Sequence, residues 1–579
     1  MKKIRNEILQ PAPLKSRLRG LYINNFQSIT EPIYIEFNGI TLFYGPNSAG
    51  KSAIVDALKL LRLCVDAEKS NFNNEHLWNT RANCDTSLGI EFIAENLRDG
   101  YDSAVDRWLE KEMLYSRPHV ELMEYISGKI IQIEYSASRA EFKFAIEGTP
   151  IFEFSSFPAT EFNEDLSAAS TEEEIEDADM SDRYFYGHLV VHKNSISEKL
   201  PFDAFHSLIR RLDKDYGVIT SYMEEGDVWR YIDSPATKLY ISQCDDRVEI
   251  RGIDLEMFRG EYSRINVKVG LGVEKSLRPR GLDKDNIENT IRRKLFEEIE
   301  EIAVEFNLIV AGLAFQMKEV LSYSHVSGDR RTIQLKNPVY VSEDLEGLVN
   351  VNLENIHQSL GEYAKSVAMQ SRRAKNSGLV KNDLVAYSFK HILKSLSGYS
   401  IKASALKVKE LTKNRKTISF QGLREGLIVR LMVDTPSGLR LGLDDVGSGI
   451  SYILPILTAL WTSEISFIEQ PELHLHPAAQ CEMGDVFIAA MSQGKSCIVE
   501  SHSEHLLLRI LRRIRETTSG SVESAALAVR NQQISVYYFR PDGAGSTKVI
   551  RMRIDRNGEL LTEWPGGFFE ERDKELFHE

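Results

Sequence analysis

The sequence predicts an α/β protein, with one domain whose two halves are separated in the chain by a large α+β insertion. Three observations predict it. An eight-residue loop bounded by glycines, Gly45-Pro46-Asn47-Ser48-Ala49-Gly50-Lys51-Ser52, follows the apolar run 40–44 and opens a helical pattern. Short apolar strands and helices alternate again from about residue 385 onward. Between them, from about 96 to 384, short apolar and aromatic runs mix with a long helical stretch. The implied division is an N-terminal extension over 1–17, a first half over 18–95, an insertion over 96–384 and a second half over 385–579.

The elements follow in order. Pro11 and Pro13 block regular structure in the extension. Residues 18–23, 33–37 and 40–44 read as strands, the last feeding the glycine loop. In that loop the glycines let backbone N–H groups turn inward around a polyphosphate, Lys51 reaches its outer phosphates, and the Ser52 hydroxyl is placed to ligate Mg2+. The helix from Ser52 to about residue 63 aims its positive end at the same anion. Within the insertion, 130–135, 141–146, 185–191, 238–241 and 265–269 read as strands and 287–320 as one long or two consecutive helices, without sustained heptads. In the second half, 427–433, 465–468 and 497–499 are strands; 450–460, 478–491 and 504–515 are helices, the last amphipathic with arginines on its outer face.

Composition narrows the class. At 579 residues the chain can build two or more cores, and 42% apolar with 27% charged residues is ordinary for a soluble globular protein. No window reaches the roughly eighteen apolar residues of a membrane span, and no apolar run follows the basic start to make a secretory signal. Cys64, Cys84, Cys244, Cys481 and Cys497 form no CxxC pair, which fits a reducing cytoplasmic setting and argues against a zinc site or disulfide framework. The net charge of −14 keeps the whole molecule from attracting nucleic acid. It is unevenly spread. Residues 161–182 are acidic and read as a solvated loop, whereas 365–416 carry thirteen Lys or Arg, including Arg372, Arg373, Lys375, Lys394, Lys407, Lys409 and Lys413, against Asp383 and Glu410. That stretch is either a solubilising face or a DNA contact.

Three more motifs stand in the second half. Gly447-Ser448-Gly449 is a turn at a helix N-terminus, a second ready anion site. The stretch Ile468-Glu469-Gln470-Pro471-Glu472-Leu473-His474-Leu475-His476-Pro477 puts Glu469 at the end of a buried strand, where an acid holds Mg2+ through water. Val499-Glu500-Ser501-His502-Ser503 ends the next strand with a histidine placed to sense a γ-phosphate. His474 and His476 stand either in a metal site or in a loop of another kind.

Loop, glycine turn, strand-end acid and strand-end histidine, in that order, resemble the ABC-type ATPase heads of the SMC and OLD families, most closely the bacterial OLD-like ATPases of phage defence and DNA metabolism. The resemblance covers about 18–95 and 385–579; Trp564 to Phe569 look like a tail of one subgroup, and 323–331 resemble the arginine-bearing segment that follows the long helix. It implies an ABC-type P-loop NTPase head in which Lys51 and Ser52 hold the phosphates of ATP and its Mg2+, Glu469 acts as the Walker B acid, and His502 is the switch. It implies that Gly447, Ser448 and Gly449 touch ATP held by an opposite copy, so that the heads close as a homodimer or higher homo-oligomer, and that His474 and His476 lie in a dimer-contact loop. One departure matters. Relatives carry a water-polarising glutamate after the strand-end acid, and here Gln470 stands there; a glutamine orients water but cannot take its proton, and Glu472 is the alternative carboxylate. No Toprim or HNH pattern is evident, so a nuclease effector is expected on a separate protein. The expected function is ATP-gated control of DNA engagement or of that effector in anti-phage defence; an SMC-like repair ATPase and a non-hydrolysing ATP-gated scaffold are the alternatives.

Overall fold

The structure is a computed structural model that describes residues 18–65, 86–94, 125–136, 141–158, 185–192, 219–224, 227–234, 237–243, 247–253, 317, 320–327, 339–342, 363, 383–409, 425–442, 445–543 and 545–565. The extension 1–17, the acidic segment 161–182, the strand reading at 265–269, nearly all of the helical reading at 287–320, and Arg372, Arg373, Lys375 and Lys413 lie outside the described residues. Contacts divide the chain into two compact units. One takes Glu36–Val55 and Ser322–Glu579 with Met1–Ser16, the other Arg17–Ile35 and Asp56–Leu321.

The first unit is built on a six-stranded sheet. We number its strands β1 (Ile40–Tyr44), β2 (Tyr323–Val326), β3 (Ile465–Glu469), β4 (Ser496–Glu500), β5 (Ile534–Pro541) and β6 (Thr547–Met552). Their order across the sheet is β2-β3-β4-β1-β5-β6. All neighbours are parallel except the last pair. β1 is buried at every position, and β3 and β4 at all but their final glutamates. Such unbroken apolar runs are what a parallel strand covered on both faces requires, and they are why these segments read as strands without alternation. The strand that precedes the glycine loop thus shares one sheet with strands from the second half of the chain.

Four helices matter to the site: α1 (Ser52–Val65), α2 (Ser448–Thr462), α3 (Pro477–Ser492) and α4 (Glu504–Thr518). α3 is buried along most of its length, and α4 buries Leu506, Leu507, Ile510, Leu511 and Ile514 at helical spacing. Gly484 lets the two helices approach, since a Cβ there would lie 3.2 Å from the Leu506 carbonyl oxygen. One sequence expectation fails on this face. Arg512 and Arg515 do point outward, but Arg513 is only 4% exposed, because its guanidinium makes a two-pronged pair with the buried Asp485 of α3. Arg509 adds a third bond to the same carboxylate at 2.7 Å. The unit also holds a smaller antiparallel sheet of Val339–Ser342, Glu425–Asp434 and Ser400–Lys409, with Arg440–Gly442 on the middle strand.

The second unit is an eleven-stranded sheet that begins Ile33–Glu36, Leu18–Asn24, Ser87–Ile93, Ile130–Ser136, Glu141–Ile146 and continues to Ile219–Glu224. Its core includes Leu21, Ile23, Leu88, Phe92 and Ile131. The strands expected at 130–135, 141–146, 185–191 and 238–241 are present within it. No described helix is long and apolar enough to cross a membrane.

Candidate functional site

The parallel strands β3, β4 and β1 end side by side, and every group expected to carry chemistry, apart from the glycine turn, leaves from those ends. Backbone conformation builds the phosphate loop. Gly45 has φ +147° and a Cβ on it would come within 2.5 Å of the Phe539 carbonyl oxygen, so no side chain fits. Ser48 and Gly50 take left-handed φ values of 62° and 80°, the alternation that gathers N–H groups into an anion-binding concavity. The Thr547 hydroxyl of β6 donates to the Ala49 carbonyl at 3.1 Å and pins the loop from outside, while Pro46, Asn47 and Ser48 are exposed.

Lys51 is 4% exposed. Its ammonium donates to the carbonyls of Gly45 (3.1 Å) and Pro46 (2.9 Å) and lies 3.6 Å from Glu500 Oε1. Burial pulls the lysine's pKa down, and Glu500 only partly opposes it. On the other side burial raises the Glu500 pKa; Lys51 opposes the rise, and Glu469 and Glu472 add to it. On both groups burial is the largest influence, and it opposes the charge that their mutual attraction favours. Ser52, the first residue of α1, is exposed beside it.

Glu469 ends β3 in register with Glu500 on β4. Its carboxylate accepts from His325 Nε2 at 2.8 Å and from the Ser327 hydroxyl at 3.4 Å. His325 comes from β2, and its ring packs 5.6 Å from Phe467. Sequence reasoning reached this segment for its arginines and missed the histidine. Its segment, Ser322-Tyr323-Ser324-His325-Val326-Ser327, is mostly polar and carries no signal of its own; only the neighbouring strand gives the histidine a partner. Gln470 turns the chain at the strand end with φ +44°, its N–H held by the Glu500 carbonyl at 2.7 Å.

Glu472 is tied into the next turn: it accepts from the Ser501 hydroxyl (2.8 Å) and from the His502 N–H (2.6 Å). That turn is held again by Tyr44, whose hydroxyl donates to the Ser503 carbonyl at 3.1 Å and whose ring meets Trp564 edge-on at 5.6 Å. Ser503 caps α4 through Leu506 N–H. His502 itself keeps a buried Nε2 with no hydrogen-bond partner among the described residues. Burial, then Lys51, holds its pKa below the ordinary histidine value, so the ring is neutral at pH 7. A buried imidazole nitrogen without a partner is costly, and with the ring's proton on Nε2 a phosphate oxygen would accept from it. The nest, the buried lysine, the strand-end carboxylate, the helix-start hydroxyl and this histidine together fit a magnesium-bound triphosphate.

The glycine turn is placed differently. Gly447 caps α2 in an extended conformation (φ −60°, ψ 151°), exposed, and a Cβ on it would meet nothing within 4 Å. A Cβ on Gly449 would make only an ordinary contact with Leu475 at 3.9 Å. Neither glycine is demanded by its own copy of the chain. Ser448 opens the helix and is exposed; Leu443 and Asp444 lie outside the described residues. His474, with φ +60°, packs its ring 4.5 Å from Tyr452, and His476 accepts from Ala478 N–H to cap α3. Among the described residues no group of three metal-ligating side chains gathers.

No curated protein matches the chain. Solved structures with some likeness include SMC heads: one bound to the C-winged helix domain of ScpA (10% identity, 93% of this chain and 98% of that one, TM-score 0.35), one from Pyrococcus furiosus with an extended coiled coil bound to the C-terminal domain of ScpA (11%, 97% and 99%, 0.32), and one from Thermotoga maritima (10%, 93% and 100%, 0.30). TM-scores this low leave the family models to place the chain. Residues 529–578 match a family described as a protein of unknown function, DUF3696. Residues 17–507, most of the sequence, match the AAA ATPase domain model, and the chain belongs to that family, AAA_15.

Proposed function

We propose that the protein is a Mg2+-dependent ATPase that closes as a homodimer around ATP and uses that closure to gate DNA engagement or a separate effector such as a nuclease, in a bacterial anti-phage setting. The observation that carries the nucleotide reading is the convergence of Lys51, Glu469 and the unpartnered His502 Nε2 at the ends of neighbouring parallel strands. In this reading the loop Gly45 to Ser52 cradles the phosphates, Ser52 and Glu469 hold the metal, and His502 meets the γ-phosphate. The bound metal would neutralise charge on the outer phosphate oxygens. His325 fixes the rotamer of Glu469, and Glu472 sets the switch turn without taking part in proton transfer. Gly447, Ser448 and Gly449 present bare backbone to the nucleotide of a second copy, which accounts for glycine where the fold leaves room for a side chain. The effector, DNA and defence parts of the proposal rest on the likeness to OLD-type heads. Exposed Lys390, Lys394 and Lys402 in the basic stretch are compatible with DNA.

Gly447→Asp tests the closure. Aspartate is a good N-cap, so the melting temperature is expected to hold or rise. Its charge would face the opposite triphosphate. Monomer affinity for ATP should stay within about twofold while the ATP-dependent dimer, read by sedimentation velocity, disappears; a variant that still dimerises removes the glycine turn from the interface.

One observation favours a second reading. With Gln470 where relatives carry glutamate, a long-lived ATP-bound gate is expected, and turnover should fall below about 10 s⁻¹, the middle of the enzyme range. Steady-state phosphate release above that rate excludes the slow gate, and none at all under saturating Mg-ATP makes the protein a nucleotide-gated scaffold.

A further inference from the structure

With His502 assigned to the γ-phosphate, the site has four candidates for the group that activates water; one cannot take a proton and two are otherwise engaged. Gln470 cannot accept a proton. Glu469 is oriented by His325 and Ser327 and is assigned to the metal. Glu472 receives Ser501 Oγ on one oxygen and His502 N–H on the other, so moving it would undo the turn that carries His502. Glu500 remains. It ends β4, between the strand of Glu469 and the strand of the phosphate loop, and its carboxylate is 3.6 Å from the ammonium of Lys51. A P-loop lysine reaches the outer phosphates, so a carboxylate beside that ammonium stands at the γ-phosphate end of the site.

We propose that Glu500 is the catalytic carboxylate of this ATPase, the group that hydrogen-bonds the attacking water and takes its proton in place of Gln470. The water oxygen forms a bond to the γ-phosphorus as the bond from that phosphorus to the β,γ-bridging oxygen breaks. The bonding pair leaves with ADP, and the water's proton passes to Glu500 and from there to solvent. Burial and the neighbouring carboxylates raise this group's basicity, which suits the role. Without nucleotide, the same carboxylate serves as the counterion of Lys51; an arriving triphosphate takes over the lysine and releases Glu500 to the water.

The assignment rests on the Mg-ATP reading above, and the experiment separates the two. ATP binding is measured by isothermal titration calorimetry and hydrolysis by single-turnover phosphate release, for the full-length protein, Glu500→Gln and the double variant Glu500→Gln/Gln470→Glu. Expected are an ATP affinity for Glu500→Gln equal to or up to about threefold tighter than the parent's, a chemical step at least about 100-fold slower, and recovery of at least a tenth of the parent rate in the double variant. Hydrolysis by Glu500→Gln within threefold of the parent overturns the assignment. So does its loss of ATP binding, which would make Glu500 only the holder of Lys51, and so does a parent protein that binds ATP without hydrolysing it. A parent that binds no ATP sinks the nucleotide reading itself.

Discussion

Lys51→Ala is expected to weaken Mg-ATP binding by at least about 100-fold, close to 3 kcal/mol, in equilibrium dialysis or calorimetry. Two effects add. The variant loses the cation that the loop carbonyls of Gly45 and Pro46 hold in place and that the proposed reading sets against the outer phosphates. It also strips Glu500 of its counterion, next to Glu469 and Glu472, so that any charge left on that carboxylate repels the triphosphate. The second effect is separable. Lys51→Ala/Glu500→Gln should regain part of the loss, and a double variant no better than the single would mean Glu500 exerts no field on the nucleotide. The stability of Lys51→Ala carries the matching sign. With its counterion gone, the folded pKa of Glu500 rises further above the unfolded one. Its contribution is then fully present below the ordinary carboxylate range and is lost as pH climbs through the raised value. Urea midpoints of Lys51→Ala relative to the parent should therefore be best in acid and fall toward neutrality; the opposite slope would show the carboxylate stays ionised.

The phosphate loop, the order of motifs and the strands that end in Glu469 and Glu500 were legible in the sequence because each depends on local pattern: glycines at positive φ, apolar runs with no alternation, a polar residue where a run stops. Pairings made across strands were not. His325 stands beside Ser324 in a four-residue strand with no apolar pattern to mark it, and only the parallel pairing of β2 with β3 brings it to Glu469. Glu500 reads as part of a switch motif until Lys51, 449 positions earlier, is folded beside it. Glu472 looks like a spare base by spacing, yet hydrogen bonds from the turn after β4 occupy it. In each case the fold supplies a partner from a remote segment, and periodicity carries no record of remote partners.

Arg513 is the sharpest instance, and it carries the largest expected loss of stability. Its helix reads as amphipathic with a basic outer face, and the rule that arginine faces solvent holds unless a buried carboxylate waits on the neighbouring element. Asp485 does, 5% exposed, with both oxygens engaged by Arg513 at 2.8 Å and one shared with Arg509. The hydrogen bonds that Arg513 donates to Asp485, against the opposing cost of burial, push the guanidinium's pKa further up, so the charge persists at any pH the fold survives. Removing the carboxylate is the costly change, because it leaves the buried cation with Glu516, 2.6 Å away, as its nearest remaining carboxylate partner among the described residues. Asp485→Ala should cost about 3–5 kcal/mol, or roughly 6–20 °C in melting temperature for a domain of this size, read by calorimetry. Replacing both residues with leucine should recover most of it, since two buried charges are then removed together with their desolvation penalty. The clamp has a second consequence through its position. α3 leaves the loop after Glu469 and α4 leaves the turn after His502, so Asp485 and Arg513 fix the distance between the helices that follow those two residues. The double-leucine protein should therefore keep its melting temperature yet bind ATP more weakly, as the buried pair sets a geometry that an apolar contact does not. Equal ATP affinity in that variant would confine the pair to stability.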